Sequence, residues 1–204
     1  GTITVNPNAT ITQTSAAGTE AQTVCINTAI TAITYNIADG GTGATVTGLP
    51  AGVTGTYAAG VFTITGTPTG IGTSNYTVTT TGGCSSASLS GSITVTPDVT
   101  ITLTSAAPTA NQTVCVDSPI TTITYTVANG ATSVTDTGFP TGVTGSYDVT
   151  TGIYTITGTP NIDGIFNYTL TTVGGCGSDT INGTITVNPA ATIVLTSAAG
   201  TDAR

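Results

Sequence analysis

The chain of 204 residues has no His, Lys, Met or Trp, a single basic side chain at Arg204, and nine acids that set its net charge at −8. That composition removes most of the groups used for general acid–base catalysis, Schiff-base chemistry and imidazole metal ligation, so no catalytic, cofactor-binding or metal-binding residues are expected. It also argues against nucleic acid and membrane insertion, because nothing neutralises phosphates and no apolar run approaches the roughly twenty residues of a membrane span.

From Gly1, the run GTITVNPNATITQTSAAGTEAQTVCINTAITAITYNI returns after about ninety residues as GSITVTPDVTITLTSAAPTANQTVCVDSPITTITYTV, and Gly183 opens a third copy, GTITVNPAATIVLTSAAGTDA. Repetition at a fixed period marks an array. Residues 1–5 read as the last strand of a preceding repeat, 6–95 and 96–187 as two complete repeats, and 188–204 as the first strand of a following one. The chain therefore reads as a window in a longer polypeptide, with no export signal of its own. Although about a quarter of the residues are Thr, the hydrophobic fraction is 38%, enough for each copy to bury a core.

In the first copy, alternating runs rich in Thr, Val, Ile and Tyr fall near 10–15, 29–37, 44–47, 53–57, 61–65, 74–80 and 86–95, separated by Gly, Pro, Asn and Asp. Seven short strands at this spacing predict an all-β chain of tandem immunoglobulin-like β-sandwich repeats of about 90 residues. Period-2 alternation places Ile33, Tyr35, Ile37, Phe62, Ile64, Tyr76, Val78, Leu89, Ile93 and Val95 inside, and their counterparts in the second copy likewise. Asp39-Gly40 and Asn129-Gly130 supply the positive φ of a tight hairpin. Gly91 and Gly183 interrupt strands at equivalent places, which suggests bulges or close backbone approach. Successive copies meet at Asn6-Pro7, Thr96-Pro97 and Asn188-Pro189, joints without a Gly/Ser linker and stiffened by proline.

The cysteines recur as one pair per copy, Cys25 with Cys84 and Cys115 with Cys176. Zinc would want short Cys spacings and a reactive thiol a basic neighbour, so one disulfide per repeat, formed within the copy, is preferred over free thiols. Each would close about sixty residues, worth roughly 4 kcal/mol in the chain-entropy model, and would place the chain in an oxidising, extracytoplasmic setting. Under tension only the outer strands of such a unit could be drawn out. Apart from Glu20 and Asp202, between which the middle copy has Ala110, the acids do not recur: Asp39 corresponds to Asn129, Asp136 to Val46 and Asp148 to Ala58, so they read as solvated surface rather than as a repeated calcium site. The copies differ in length by two residues at a hairpin tip, and the two tips, Ala58, Ala59 and Gly60 against Asp148, Thr150, Thr151 and Gly152, are the candidate contact loops.

The segments GLPAGVTGTYAAGVFTITGTPTGIGTSNYTVTTTGGC and GFPTGVTGSYDVTTGIYTITGTPNIDGIFNYTLTTVGGC resemble the immunoglobulin-like repeats of bacterial surface proteins. With the flanking TSAAGTEAQTVCINTAI, the whole chain resembles repeats of the gliding-motility adhesins of the Bacteroidetes (SprB type). The resemblance implies type IX export, display in long filaments on the bacterial cell surface and movement by the gliding machinery, engaged through other parts of the parent chain; it carries over no catalytic residues. The expected partners are adjacent repeats of the same chain and a polysaccharide or abiotic surface. Asp179-Thr180-Ile181 resembles a short O-glycan acceptor motif of exported Bacteroidetes proteins. The leading expectation is a structural, non-enzymatic segment of an adhesin filament; the alternatives are a glycan-binding module touching sugar through the two tips, and a subunit of a self-assembling fibre.

Overall fold

The structure, a computed structural model, describes residues 1–194. The chain forms two compact units that divide after Asp98. The first contains β1 (Ala9–Gln13), β2 (Ala21–Cys25), β3 (Ile33–Asp39), β4 (Gly41–Thr47), β5 (Val53–Ala58), β6 (Val61–Gly66), β7 (Gly72–Gly82) and β8 (Ser88–Thr96). They build two four-stranded sheets, β1-β3-β6-β5 and β2-β8-β7-β4. The second contains β9 (Thr100–Leu103), β10 (Asn111–Cys115), β11 (Ile123–Ala128), β12 (Ser133–Thr137), β13 (Val143–Asp148), β14 (Ile153–Gly158), β15 (Gly164–Val173) and β16 (Thr180–Asn188), with a 3-10 turn at Ala107–Ala110. Its sheets, β9-β11-β14-β13 and β10-β16-β15-β12, repeat the first arrangement strand for strand. Four strands facing four, with the chain passing repeatedly between sheets, is an immunoglobulin-like sandwich.

Each unit has eight strands rather than seven. The additional ones, β2 and β10, lie parallel to the last strand of their unit, Ala21 opposite Ser92 and Asn111 opposite Thr184. A five-residue strand paired in parallel at a sheet edge has no hairpin turn to announce it, and it buries no full stripe of side chains. A Gln clamp secures it instead. Gln22 Nε2 donates to the Thr19 and Thr31 carbonyls at 2.8 and 3.0 Å while its Oε1 accepts from Thr31 N at 2.9 Å, and Gln112 repeats this with Thr109 and Thr121.

Asp39 and Asn129 do adopt positive φ, 56° and 63°. The turn they make is not a hairpin, however. β3 pairs with β1 and β6, and β4 pairs with β7, so Asp39-Gly40 carries the chain from one sheet to the other. Residues 1–8 and 189–194 form no strand; the part of the expected following strand beyond 194 lies outside the described residues. Ile3 and Val5, whose repeat counterparts Ile93 and Val95 are buried, are 91% and 85% exposed.

The core of the first unit gathers Ile33, Tyr35, Ile37, Phe62, Ile64, Tyr76, Val78, Ile93 and Val95, all expected from alternation. Leu89 is the exception. It is the second residue of β8, at the rim, and is 36% exposed. In the second unit Ile123, Tyr125, Val127, Tyr154, Ile156, Tyr168, Leu170, Ile185 and Val187 take the same places, with Ile181 partly buried against them. Where antibody domains join the sheets with a disulfide between their second and sixth strands, each unit here joins them with two tyrosines. Tyr35 on β3 and Tyr76 on β7 share a 2.9 Å hydrogen bond, and Tyr125 and Tyr168 share one of 2.7 Å. Tyr76 Oη also donates to the Glu20 carbonyl and Tyr168 Oη to that of Ala110. Gly91 and Gly183 exist for these rings: a Cβ at either would collide with the tyrosine hydroxyl and with the backbone carbonyl that it contacts. The ladder runs through Gly91 and Gly183 without a register shift, so the close approach is realised and no bulge forms there.

Candidate functional site

Each unit has two poles, and the cysteines lie there. In the first unit the incoming pole collects Asn6 and Pro7, the Asp39-Gly40 turn, the β5–β6 tip and the Gly82-Gly83-Cys84 turn. Cys84 N donates to the Pro7 carbonyl at 3.2 Å, Cys84 Sγ to that of Asn6 at 3.0 Å, and Ile37 N to that of Gly60 at 2.8 Å. The outgoing pole collects Cys25, Ile26 and Asn27 with Pro68 and Thr96: Cys25 lies opposite Thr96 in the parallel ladder, Ile26 N donates to the Thr96 carbonyl and Asn27 N to that of Pro68. The second unit repeats the plan. Val99 N donates to the Cys176 carbonyl at 2.8 Å at its incoming pole, and Cys115 lies opposite Asn188 at its outgoing one.

This geometry overturns the disulfide pairing expected within each copy. Cys84 precedes β8 and Cys25 faces its last residue, so the nine residues of β8, about 26 Å at the rise of a strand, separate them. A disulfide needs Cα atoms within about 7 Å. Cys115 and Cys176 are kept apart in the same way by the nine residues of β16. Cys84 and Cys115, one from each expected pair, are exposed free thiols. Neither Cys25–Cys84 nor Cys115–Cys176 forms, and no bridge encloses the middle of a unit. Equal spacing in sequence does not bring the two together, because the parallel β2 strand sends Cys25 to the far end.

The candidate contact loops are exposed tips of the β5–β6 and β13–β14 hairpins, built by different chemistry. Ala58 ends β5, and Ala59 and Gly60 turn at φ 48° and 85°, a two-residue connection. The longer tip folds around Asp148, whose carboxylate accepts from Thr150 N and Thr151 Oγ1, both at 2.9 Å, while Gly152 N donates to the Asp148 carbonyl. These bonds hold the Asp148 carboxyl below its ordinary range. Val149 stands 65% exposed on this tip, and the short tip has nothing equivalent.

Four further acids are spent locally. Asp39 accepts from Thr10 Oγ1, Asp136 from the Tyr154 hydroxyl, and Asp179 from Ile101 N and Thr180 N. Glu20 accepts from Gln13 Nε2 and Gly18 N, bonds that favour the carboxylate and hold its carboxyl below the ordinary range. Among the described residues no group of three His, Cys, Asp or Glu stands close enough to hold a metal ion. A shallow depression beside Cys84 is lined by Asn6, Pro7, Asp39, Gly40, Thr42 and Gly83, with no cluster of charges in it. Burial disfavours the phenolate of Tyr35, Tyr76, Tyr125, Tyr154 and Tyr168 and pushes their hydroxyls above the ordinary phenol range. Four of these neutral phenols are pinned to one another and Tyr154 to Asp136, which makes them structural ties.

The sequence matches no described protein family and no curated protein. Among solved structures it is similar to a three-immunoglobulin fragment of titin, I67–I69, at a TM-score of 0.58 and 11% identity, covering 91% of this chain and 64% of the fragment. An E-to-A variant of I67–I69 gives 0.57 and 12%, covering 82% and 62%. The chain thus spans less than two thirds of the length of these fragments. At such identity the likeness is one of fold, and it agrees with the sheet topology: tandem immunoglobulin-like repeats.

Proposed function

We propose that this chain is a structural spacer segment of a long extracellular adhesin filament, in which immunoglobulin-like repeats hold a binding region away from the cell. The observation that supports it is the division between what recurs and what varies. The tyrosine pair, the glycine beneath it, the Gln clamp and the polar cysteines recur in both repeats. The exposed acids and the hairpin tips differ in identity and length. An array whose shared features are internal and whose surface drifts is built to be a scaffold, whereas a repeated ligand site would show the reverse. Display on a gliding bacterium, type IX export and a non-enzymatic role complete the proposal and are supported by the motif resemblance and by the composition.

The test is binding of the chain to glass, agar polysaccharide and a glycan array, beside a variant in which residues 148–152 are replaced by the shorter tip. The spacer reading expects neither to bind while both stay folded. Binding by the chain that the variant loses would make the repeats glycan-binding modules and overturn it.

A further inference from the structure

The strand that the sequence conceals in each unit is also the one that joins its two ends. The chain enters a unit at one pole and leaves it at the other, and β2 runs parallel to β8, Ala21 to Cys25 opposite Ser92 to Thr96, as β10 does to β16. Tension drawn through the chain pulls β2 back by its first residue and β8 forward by its last. Parallel strands loaded in this way are sheared, and their pairs carry the load together, whereas a hairpin pulled at its open end parts pair by pair. The ladder is lengthened at both ends: Ser92 N donates to the Glu20 carbonyl at 2.7 Å and Ile26 N to that of Thr96 at 2.9 Å. β1 lies ahead of it on the path and gives the core only Ala9 and a partly buried Ile11, so the load comes to rest on β2. While the ladder holds, the residues between Cys25 and Ser92, which include most of the core, lie outside the loaded path.

A five-residue edge strand that packs Val24 against the core is a weak part to load. Gln22 reinforces it. Its side chain holds three bonds at once, donating to the Thr19 and Thr31 carbonyls and accepting from Thr31 N, so β2 is tied to the chain leading into β3 as well as to β8. A slip of one residue, about 3.3 Å along a strand, would carry the Gln22 amide out of reach of Thr31 and turn every side chain of β2 to the wrong face. Gln112 makes the same three bonds with Thr109 and Thr121, although Asn111 stands beside it where the first repeat has Ala21. We propose that Gln22 and Gln112 are the catches of a load-bearing latch, one in each repeat. They hold β2 and β10 against sliding, so a unit under tension stays whole until its catch opens and then yields in one step. This deepens the spacer reading, on which its use to the filament rests, since a spacer has to transmit pull; the latch itself is indifferent to what the filament binds.

The test is single-molecule pulling of the whole chain by its two ends at constant force, with a reductant present so that no disulfide carries load. The parent should show two rupture steps, one for each unit. Gln22→Ala should make one of the two steps about tenfold faster, the scale of a few hydrogen bonds lost before the rupture transition state, and leave the other unchanged. Adding Gln112→Ala should hasten both. Gln22→Glu keeps the acceptor for Thr31 N and loses both donors; it should fall between parent and alanine, and it serves as the measure if the alanine variant folds poorly. Tyr35→Phe is the control. It weakens the interior of the same unit, which is still intact when the latch opens, so it should lower the midpoint of chemical denaturation without changing the rupture rate. Acceleration by the Gln22 changes alone supports the latch. Equal acceleration by Tyr35→Phe, or rupture rates indifferent to Gln22, would overturn it, whereas the spacer reading is decided by binding and would survive either result.

Discussion

Phe62 and Tyr154 occupy the same buried place in the two repeats, each ring lying over a glycine of the neighbouring strand, Gly55 or Gly145, and the surroundings differ by one coordinated change. Around Phe62 the group alongside is Val46, whose methyl approaches the same point as the phenyl ring. Around Tyr154 the counterpart of Val46 is Asp136, which accepts the added hydroxyl. A hydroxyl brought into a core costs free energy unless an acceptor arrives with it. The core therefore drifts in matched pairs, whereas the Tyr35–Tyr76 and Tyr125–Tyr168 ties and their glycines stay fixed. Fixed elements should be costly to change in both repeats alike, and drifting ones costly only when changed alone.

The largest effect is expected at the glycines. Gly91→Ala and Gly183→Ala each force a methyl onto a tyrosine hydroxyl and a backbone carbonyl that cannot both retreat, and each should destabilise its own repeat by about 3 kcal/mol. Amide exchange resolved by repeat would measure this. A tolerated alanine in one repeat but not the other would break the equivalence of the two cores.

The tyrosine tie should show a second, smaller asymmetry. Tyr76→Phe leaves the buried Tyr35 hydroxyl with no protein partner and should cost about 2 kcal/mol, whereas Tyr35→Phe leaves Tyr76 bonded to the Glu20 carbonyl and should cost about 1 kcal/mol. Tyr168→Phe and Tyr125→Phe should repeat the order. Equal costs from chemical denaturation would mean that the backbone bond to residue 20 or 110 contributes nothing.

Transplanting the drifting pair sharpens the comparison directly. Phe62→Tyr alone should destabilise the first repeat by about 1 to 2 kcal/mol, and adding Val46→Asp should recover on the order of 1 kcal/mol. A double-mutant cycle with no coupling would show that the Tyr154–Asp136 bond is incidental. Alkaline pH tests all five buried phenols together. Burial resists their ionisation in the fold, so stability is unaffected below about pH 10 and falls as pH climbs beyond the ordinary phenol value, when the unfolded chain ionises first. Phenolate absorbance of these five should appear only with unfolding; their ionisation in the folded chain would contradict the tie.

Much of the sandwich was legible because a half-buried strand alternates with period 2, and Ile33, Tyr35 and Ile37 or Phe62 and Ile64 spell that alternation without interruption. Gly91 and Gly183 were legible as backbone constraints, although which ring demanded them was not, since Tyr76 and Gly91 meet only across a sheet. β2 and β10 were hidden because parallel edge pairing leaves no turn signal, and the cysteine error followed from that omission. Without a strand running Cys25 to the outgoing pole, two cysteines per repeat look like a pair. The turn at Asp39 announces its positive φ in sequence but not its role as a crossover between sheets, because positive φ does not say which strands the chain joins.

The smallest effect belongs to the hairpin tips, where the repeats differ most in sequence and least in consequence. Asp148→Ala removes two acceptor bonds from an exposed turn, yet Gly152 N keeps its bond to the backbone of residue 148 and β13 keeps its ladder with β14. The thermal midpoint should not move measurably, and the Thr150 amide should exchange faster. The parent tip should show an acid transition of the opposite kind: the carboxylate bonds are intact above the ordinary Asp range and are lost as pH falls below it, because the folded carboxyl is the stronger acid. Following the Thr150 amide resonance against pH would track that loss, and the two-residue tip at Ala59-Gly60, held by backbone angles alone, should show no such transition. A matching transition there would mean that the tips share a feature their sequences do not, and the case for surface drift without function would weaken accordingly.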